Sequence, residues 1–318
     1  MALTRLARLS AVAALGAGVL TGTLSAGASP TSALVADPVA AGPTPVRPAA
    51  AARTATRPRI TKLLTFVVEN HSLDQMRTSM PYVHQLATTY AYATSYTAIR
   101  HPSLPNYLAI ASGSTKGVAD DSDPSAHRLR GRTVFDQAIA RGRTARIYAD
   151  AMTSNCQLTS SYPYAVKHNP WAYFVDGRAS CRRNDVPLAR LKRDVGAGTL
   201  PNAGMVVPDL VHDAHDSNLA TSDAWIRRRV EQIQTGPDWK SGRLAIVITA
   251  DEDDRASGNK VLTVVASRYQ DQRVVSTALT HYSLTRLYES VIGARYLGKA
   301  AHAPSMRNAF GIRTVSGG

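Results

Sequence analysis

A chain of 318 residues carrying 37 Lys and Arg against 23 Asp and Glu, a formal charge of +14, is long enough for one large core and basic enough to meet anionic partners. The positive residues are dispersed, and the one dense run, Arg227-Arg228-Arg229, lies in a helix-like stretch without interleaved aromatics, so nucleic acid is not an expected partner. Two cysteines without a CxxC spacing, Cys156 and Cys181, exclude a zinc-thiolate or dithiol redox centre and predict a single disulfide in an exported chain.

Export is the reading of the N-terminus. Arg5 and Arg8 precede an apolar stretch, Ala11 to Leu24, and Ala26-Gly27-Ala28 offers small residues for cleavage, so residues 1–28 read as a secretory signal peptide. The stretch is short for a membrane span, which predicts a secreted mature chain with no transmembrane segment. Residues 29–58, rich in Ala, Pro and Thr without a hydrophobic period, read as a disordered linker, leaving 59–313 as one folded domain.

Within that domain, residues 62–68 form an apolar, β-branched run that predicts a buried strand, ending abruptly in Glu69-Asn70-His71. Residues 82–89 and 133–141 predict helices and 145–149 a strand. The run 204–207 predicts another strand, followed by Pro208 and DLVHDAHDS. A helix over 222–235 precedes the clearest buried strand, 243–249, which runs into Asp251-Glu252-Asp253-Asp254. A strand over 260–266 and a helix over 282–292 complete the series. Alternation of this kind predicts an α/β fold with a largely parallel sheet covered on both faces. Ligands bind at the C-terminal strand ends of such sheets, so the pattern predicts one site built from 69–71, 208–216 and 251–254.

The segment RHPSLPNYLAIASGST, residues 100–115, adds Ser103 at the start of an apolar helix, where unpaired N–H groups and the helix dipole favour an oxyanion or phosphate. A serine in such a place is more often a helix cap, and it is the other residues along the chain that favour the functional reading. Glu69, Asn70, Asp251 and Glu252 offer hard oxygen donors that repel one another unless a divalent cation, one or two of Ca, Mg, Mn or Zn, joins them. Asp213, His215 and His281 form a second polar set, with His168 and His101 as further candidates. Such a combination suits phosphoryl transfer. Ser103 is the expected nucleophile, activated through the cation; Asn106 and helix N–H groups face the phosphoryl oxygens, and a histidine (His168, His215 or His281) protonates the leaving alcohol.

These residues stand in an order that resembles a known family. VVENHSLDQM, HPSLPNYLAIASGST, YAVKHNPWAYF, VVPDLVHDAHD with DAWI, ITADEDD and THYSLTRLYE are similar to the ordered motifs of the bacterial phosphoesterase family, which includes secreted acid phosphatases and phospholipases C and belongs to the alkaline-phosphatase superfamily. The resemblance covers roughly residues 62–295. It implies a three-layer α/β/α sandwich, Ser103 as nucleophile, Asn106 on a phosphoryl oxygen, and Glu69, Asn70, Ser103, Asp251 and Glu252 around the metal. Asp213, His215 and His281 match a second metal site in two-metal relatives. Two departures stand out: Asp209 replaces the asparagine of a PN-type motif, and Ala250 replaces a bulky tryptophan ahead of the acids. The function implied is a metal-dependent acid phosphatase acting on phosphomonoesters through a phosphoserine, on small phosphorylated substrates including phosphoinositides. The alternatives are a phospholipase C or phosphodiesterase acting on lipid headgroups, and a non-catalytic binder of anionic polymers.

Overall fold

The computed structural model describes residues 57–315. The expected signal peptide, and all but the last two residues of the expected linker, lie outside the described residues. Ten strands alternate with ten helices: β1 (Lys62–Val68), α1 (Leu73–Ser79), α2 (Pro81–Thr89), β2 (Ala91–Ala93), β3 (Tyr96–Thr97), α3 (Ser103–Ser112), α4 (Val134–Ala140), β4 (Ala145–Ala149), α5 (Arg178–Asn184) and β5 (Asp185–Pro187). Then come α6 (Arg190–Ala197), β6 (Ala203–Val207), α7 (Leu219–Thr235), α8 (Pro237–Lys240), β7 (Leu244–Ala250), β8 (Thr263–Ser267), β9 (Arg273–Val275), β10 (Leu279–Thr280), α9 (His281–Ile292) and α10 (Met306–Ala309).

Eight strands form one sheet in the order β5-β4-β6-β1-β7-β8-β2-β9. The five from β5 to β7 run parallel; β8 is antiparallel to β7 and to β2, and β9 returns parallel to β2. Short β3 and β10 pair separately. Side-chain alternation along β1 explains the layering. The Thr65 hydroxyl accepts from Tyr288 of α9 at 2.7 Å, while its neighbour Phe66 meets the edge of Trp225 of α7 at 6.2 Å. Helices therefore cover both faces, as expected. From Leu63 to Val68 every residue of β1 is buried, as is all of β7; burying a side chain such as Phe66 contributes about 2 kcal/mol.

The register positions the chemistry. β1 and β7 pair in step from Lys62 opposite Leu244 to Val68 opposite Ala250, so the residues following them, Glu69 and Asp251, emerge side by side. β6 ends at the same edge and delivers the 208–216 loop. Helix α3 enters this edge after Pro102. Pro105 falls in its first turn, where no intrahelical N–H is required. It stops at Gly113, whose left-handed backbone (φ 66°) and tight approach to the Leu297 carbonyl leave no room for a Cβ.

Cys156 and Cys181 form the expected disulfide, with Cα atoms 5.4 Å apart, tying the loop after β4 to α5. Among the described residues no helix is long and apolar enough to cross a membrane.

Candidate active site

Glu69 leaves β1 fully buried and is the hub of the polar cluster. Its Oε2 accepts from Ser103 Oγ at 2.9 Å, and its Oε1 accepts from the Tyr107 hydroxyl at 2.9 Å. Ser103 and Tyr107 stand four residues apart on α3, hence on one face of the helix. The cap reading of Ser103 does not hold in the structure: Ser103 is the first helical residue, and Pro102 occupies the cap position without a side-chain cap hydrogen bond. The Ser103 hydroxyl is turned toward a carboxylate instead.

His168, buried on a short 3₁₀ turn, lies flat against the Tyr107 ring at 5.0 Å and 17°. Its Nε2 is 3.2 Å from Glu69 Oε1 and its Nδ1 is 3.2 Å from Asp213 Oδ2. Burial works against an imidazolium, but the Glu69 charge and the contacts to Asp213 outweigh it and raise His168 to about 9. Conversely, burial works against ionised Glu69, and the His168 charge, with help from Lys167 and the Ser103 hydroxyl, holds it at about 2. The outcome is a buried, ionised carboxylate next to a serine hydroxyl, with an imidazolium on its far side.

Asp251 leaves β7 fully buried, and its Oδ1 accepts from Asn70 N at 3.2 Å. Asn70 reaches that position in the left-handed region (φ 50°), which asparagine tolerates. Burial, then the charges of Glu69 and Glu252, push the Asp251 carboxyl well above its ordinary range. Burial also raises Glu252, against the opposing effect of His101. His101 ties the serine turn to the acidic loop, with Nδ1 3.0 Å from Glu252 Oε1 and Nε2 3.1 Å from Asp253 Oδ1. Asp253 itself is a loop anchor that accepts from the backbone N–H groups of Arg255, Ser257 and Asn259.

The donor set fits a divalent cation. Asn70 Oδ1 and Asp251 Oδ2 are buried without a hydrogen-bond partner, a costly arrangement that a cation would relieve. Glu69, His168 and Asp213 bring potential ligand atoms within 4.8 Å of one another.

Several predicted residues sit elsewhere. His281 is buried behind the acids, with Nε2 2.6 Å from the Asp251 carbonyl oxygen and Nδ1 3.0 Å from the Tyr96 hydroxyl. The carbonyl can only accept, so Nε2 carries the proton and Nδ1 accepts from Tyr96; burial keeps the ring neutral, lowering it to about 4. Both nitrogens are thus committed. The His215 ring is exposed and pairs with Asp216 at 2.6 Å, while its backbone N–H donates to Asp213 Oδ1 at 2.7 Å. Asn106 is buried, but its Oδ1 accepts from Ile99 N and Arg100 N, and its Nδ2 donates to Arg100 O, Pro102 O and Glu252 Oε2. That amide shapes the turn ahead of Ser103. Asp209, the departure from the PN pattern, accepts from Val211 N and His212 N and lies 2.9 Å from His212 Nδ1.

Three residues of the cluster escaped the sequence reading. Tyr107 was legible from its position one turn after Ser103. Lys167 adjoins His168 and pairs with Asp121 at 3.2 Å, adding positive charge near Glu69. Asp121 Oδ1 also accepts from Leu104 N at 2.9 Å, using one of the free N–H groups of α3. No local pattern marks Asp121 within its polar loop.

The parallel sheet thus brings the serine-bearing helix and the acids of two strand ends to one edge of the fold. The model of the phosphoesterase family matches residues 71–293, and the chain belongs to that family, a hydrolase acting on phosphoric ester bonds. It is 27% identical over 261 residues to a phosphatidylinositol-3-phosphatase of Mycobacterium tuberculosis (strain ATCC 25618 / H37Rv), covering 80% of this chain and 84% of the relative. It is also 27% identical over 218 residues to a phosphate-repressible acid phosphatase of Penicillium chrysogenum, covering 65% of this chain and 53% of that protein, so it spans about half the length of the fungal relative. Among solved structures, an alkaline phosphatase superfamily protein from Vibrio parahaemolyticus superposes with a TM-score of 0.54 at 11% identity, over 80% of this chain and 72% of that one. The lipoteichoic acid synthase LtaP from Listeria monocytogenes gives 0.53 at 6% identity, over 77% and 76%. At these identities the likeness shows the fold alone.

Proposed function

We propose that this chain is a secreted, metal-dependent acid phosphatase that hydrolyses phosphomonoesters through a phosphoserine on Ser103. The observation that carries the reading is the 2.9 Å hydrogen bond from the buried Ser103 hydroxyl to a carboxylate, Glu69, that burial alone would neutralise and His168 keeps ionised. As Ser103 Oγ attacks phosphorus, its proton passes to Glu69, the Oγ–P bond forms, the ester P–O bond breaks and the leaving alkoxide takes a proton from a water molecule. His168 and Lys167 supply fixed positive charge beside the acids throughout. In the second half, the hydroxide left by that water attacks phosphorus, the Oγ–P bond breaks, phosphate is released and Glu69 returns the proton to Ser103. Glu69, Asn70, Asp251 and Glu252, with Asp213 and His168 adjacent, are the residues that would hold a divalent ion. Bound there, such an ion lowers the pKa of the serine hydroxyl and offsets phosphoryl charge.

Other predicted residues take positioning roles in this proposal. His281 fixes the backbone at Asp251, Asn106 holds the serine turn, and His215 braces Asp213 through its backbone. Phosphoinositides enter as candidate substrates because the mycobacterial relative is named for one. The test compares turnover of p-nitrophenyl phosphate with that of bis-p-nitrophenyl phosphate, before and after EDTA treatment. The proposal expects monoester hydrolysis that chelation removes and a divalent ion restores. Diester preference, or full monoester turnover in protein shown metal-free by elemental analysis, would overturn it.

A further inference from the structure

A basic cavity lies away from the acids. It occupies about 480 Å³ between the ends of α4 and α9, and its lining includes Arg132, Arg141, Arg295, Gln137, Tyr296 and Leu297. That volume is in the range of small-molecule sites, roughly 300–1,000 Å³. Helix α9 begins at His281, against the Asp251 carbonyl, and its 12 residues rise ~18 Å before the cavity, so the two lie at opposite ends of the helix.

Two features constrain what it can hold. Arginine ion pairs among the described residues belong to Arg57, Arg130, Arg146, Arg190 and Arg227, so the three cavity guanidiniums have no acid partner. Arg286 adds a fourth positive charge behind the Tyr296 ring, 4.6 Å from its centroid. The acids on the two helices do not neutralise this charge. Asp136 is spent on Thr133 and the Trp171 indole, and Glu289 is fully buried and accepts from Leu297 N. Gln137, which is 8% exposed, donates from Nε2 to the Arg295 carbonyl, and its side chain meets the buried Glu289 carboxyl. Guanidinium groups without a carboxylate partner recognise phosphate oxygens through their planar forks. The ring of Tyr296 and the Leu297 side chain provide apolar wall. We infer that this cavity is a second ligand site for a phosphorylated organic molecule: the guanidiniums take the phosphates, and Tyr296 and Leu297 face the carbon frame.

A soluble sugar or cyclitol phosphate and a lipid headgroup share this chemistry. The test uses the full chain as Ser103→Ala, so that the probe is not consumed, and titrates myo-inositol trisphosphate by calorimetry at low salt. Arg141→Ala/Arg295→Ala should remove one bound equivalent or weaken it at least about tenfold, since each charged hydrogen bond accounts for about that factor. The control Arg182→Ala/Arg228→Ala loses the same charge from exposed positions and should bind as the parent does. In the Ser103 background, the cavity variant should keep kcat for p-nitrophenyl phosphate within about twofold, which separates this site from the catalytic reading. A parallel arm measures retention on phosphatidylcholine vesicles with and without phosphatidylinositol phosphate. Arginine-dependent binding of the soluble probe identifies a free ligand; arginine-dependent binding of vesicles alone identifies a headgroup. Equal binding by parent and cavity variant in both arms, or equal loss in the charge-matched control, overturns the proposal.

Discussion

Replacing Asp185 by Asn should change how stability depends on pH. Asp185 opens β5 at the sheet edge, is fully buried, and accepts from Asn169 Nδ2 at 2.8 Å beside the Cys181 sulfur. Burial drives its carboxyl up to about 8, with Asn169 and Arg178 opposing only part of that rise. Between about pH 4 and pH 8 the folded chain therefore holds a proton that the unfolded chain has released. Stability is complete below about pH 4, falls as pH rises through that window, and levels off above it. A shift of about four units sets a ceiling of ~6 kcal/mol at about 1.4 kcal/mol per unit; relaxation and water penetration around buried charges leave roughly 2 kcal/mol as the expected size. For a domain of this length that is ~4–8 °C in melting temperature. Thermal melts at about pH 4 and about pH 9 should show the parent and Asp185→Asn together at the lower value. At the higher value the variant should melt several degrees above the parent. Glu289, which burial also raises to about 8, supplies a second such drop that Glu289→Gln should remove. Parallel pH dependence in the parent and Asp185→Asn would refute the reasoning. Asn169 adjoins His168, so the same anchor also holds the imidazolium at the active site.

Exhaustive chelation should abolish turnover, and Asp251→Asn should imitate it while leaving the circular dichroism spectrum unchanged; the check is activity alongside elemental analysis. Tyr107→Phe keeps the stack on His168 but removes one hydrogen bond to ionised Glu69, which should cost about 1.5 kcal/mol of that interaction and lower kcat roughly tenfold with little change in melting temperature. Replacing both cysteines by serine opens a loop spanning 25 residues and should lower stability by about 3 kcal/mol, read as an earlier denaturant midpoint.

The long buried strands were legible because their apolar runs carry the signal directly. β4 coincides with the expected 145–149, and β1, β6 and β7 agree within a residue. Helix α7 starts at Leu219 rather than at the expected 222, because Asn218 caps it by accepting from Thr221 N. Elements of two to four residues, such as β3, β5, β9 and β10, left no periodicity to read. The sequence singled out Ser103, Glu69, Asn70, Asp251 and Asp213, since polar residues that directly follow buried strands must gather at one edge. Where side chains point was not legible. Asp213, His215 and His281 looked alike as polar residues in motifs, yet burial and partners separate them: Asp213 faces His168, His215 faces solvent, and His281 spends both nitrogens behind the acids. His168 came to the centre because its 3₁₀ turn packs onto α3, a contact made at long range.

The central claim is that Ser103 carries the phosphoryl group. Rapid acid quench during turnover of a radiolabelled phosphomonoester, followed by peptide mapping, tests it directly. The account predicts label on the peptide containing Ser103, none in Ser103→Ala, and a fall in that variant's kcat on the order of 10³-fold with an unchanged melting temperature. Normal turnover by a folded Ser103→Ala, or label trapped on another residue, would contradict it.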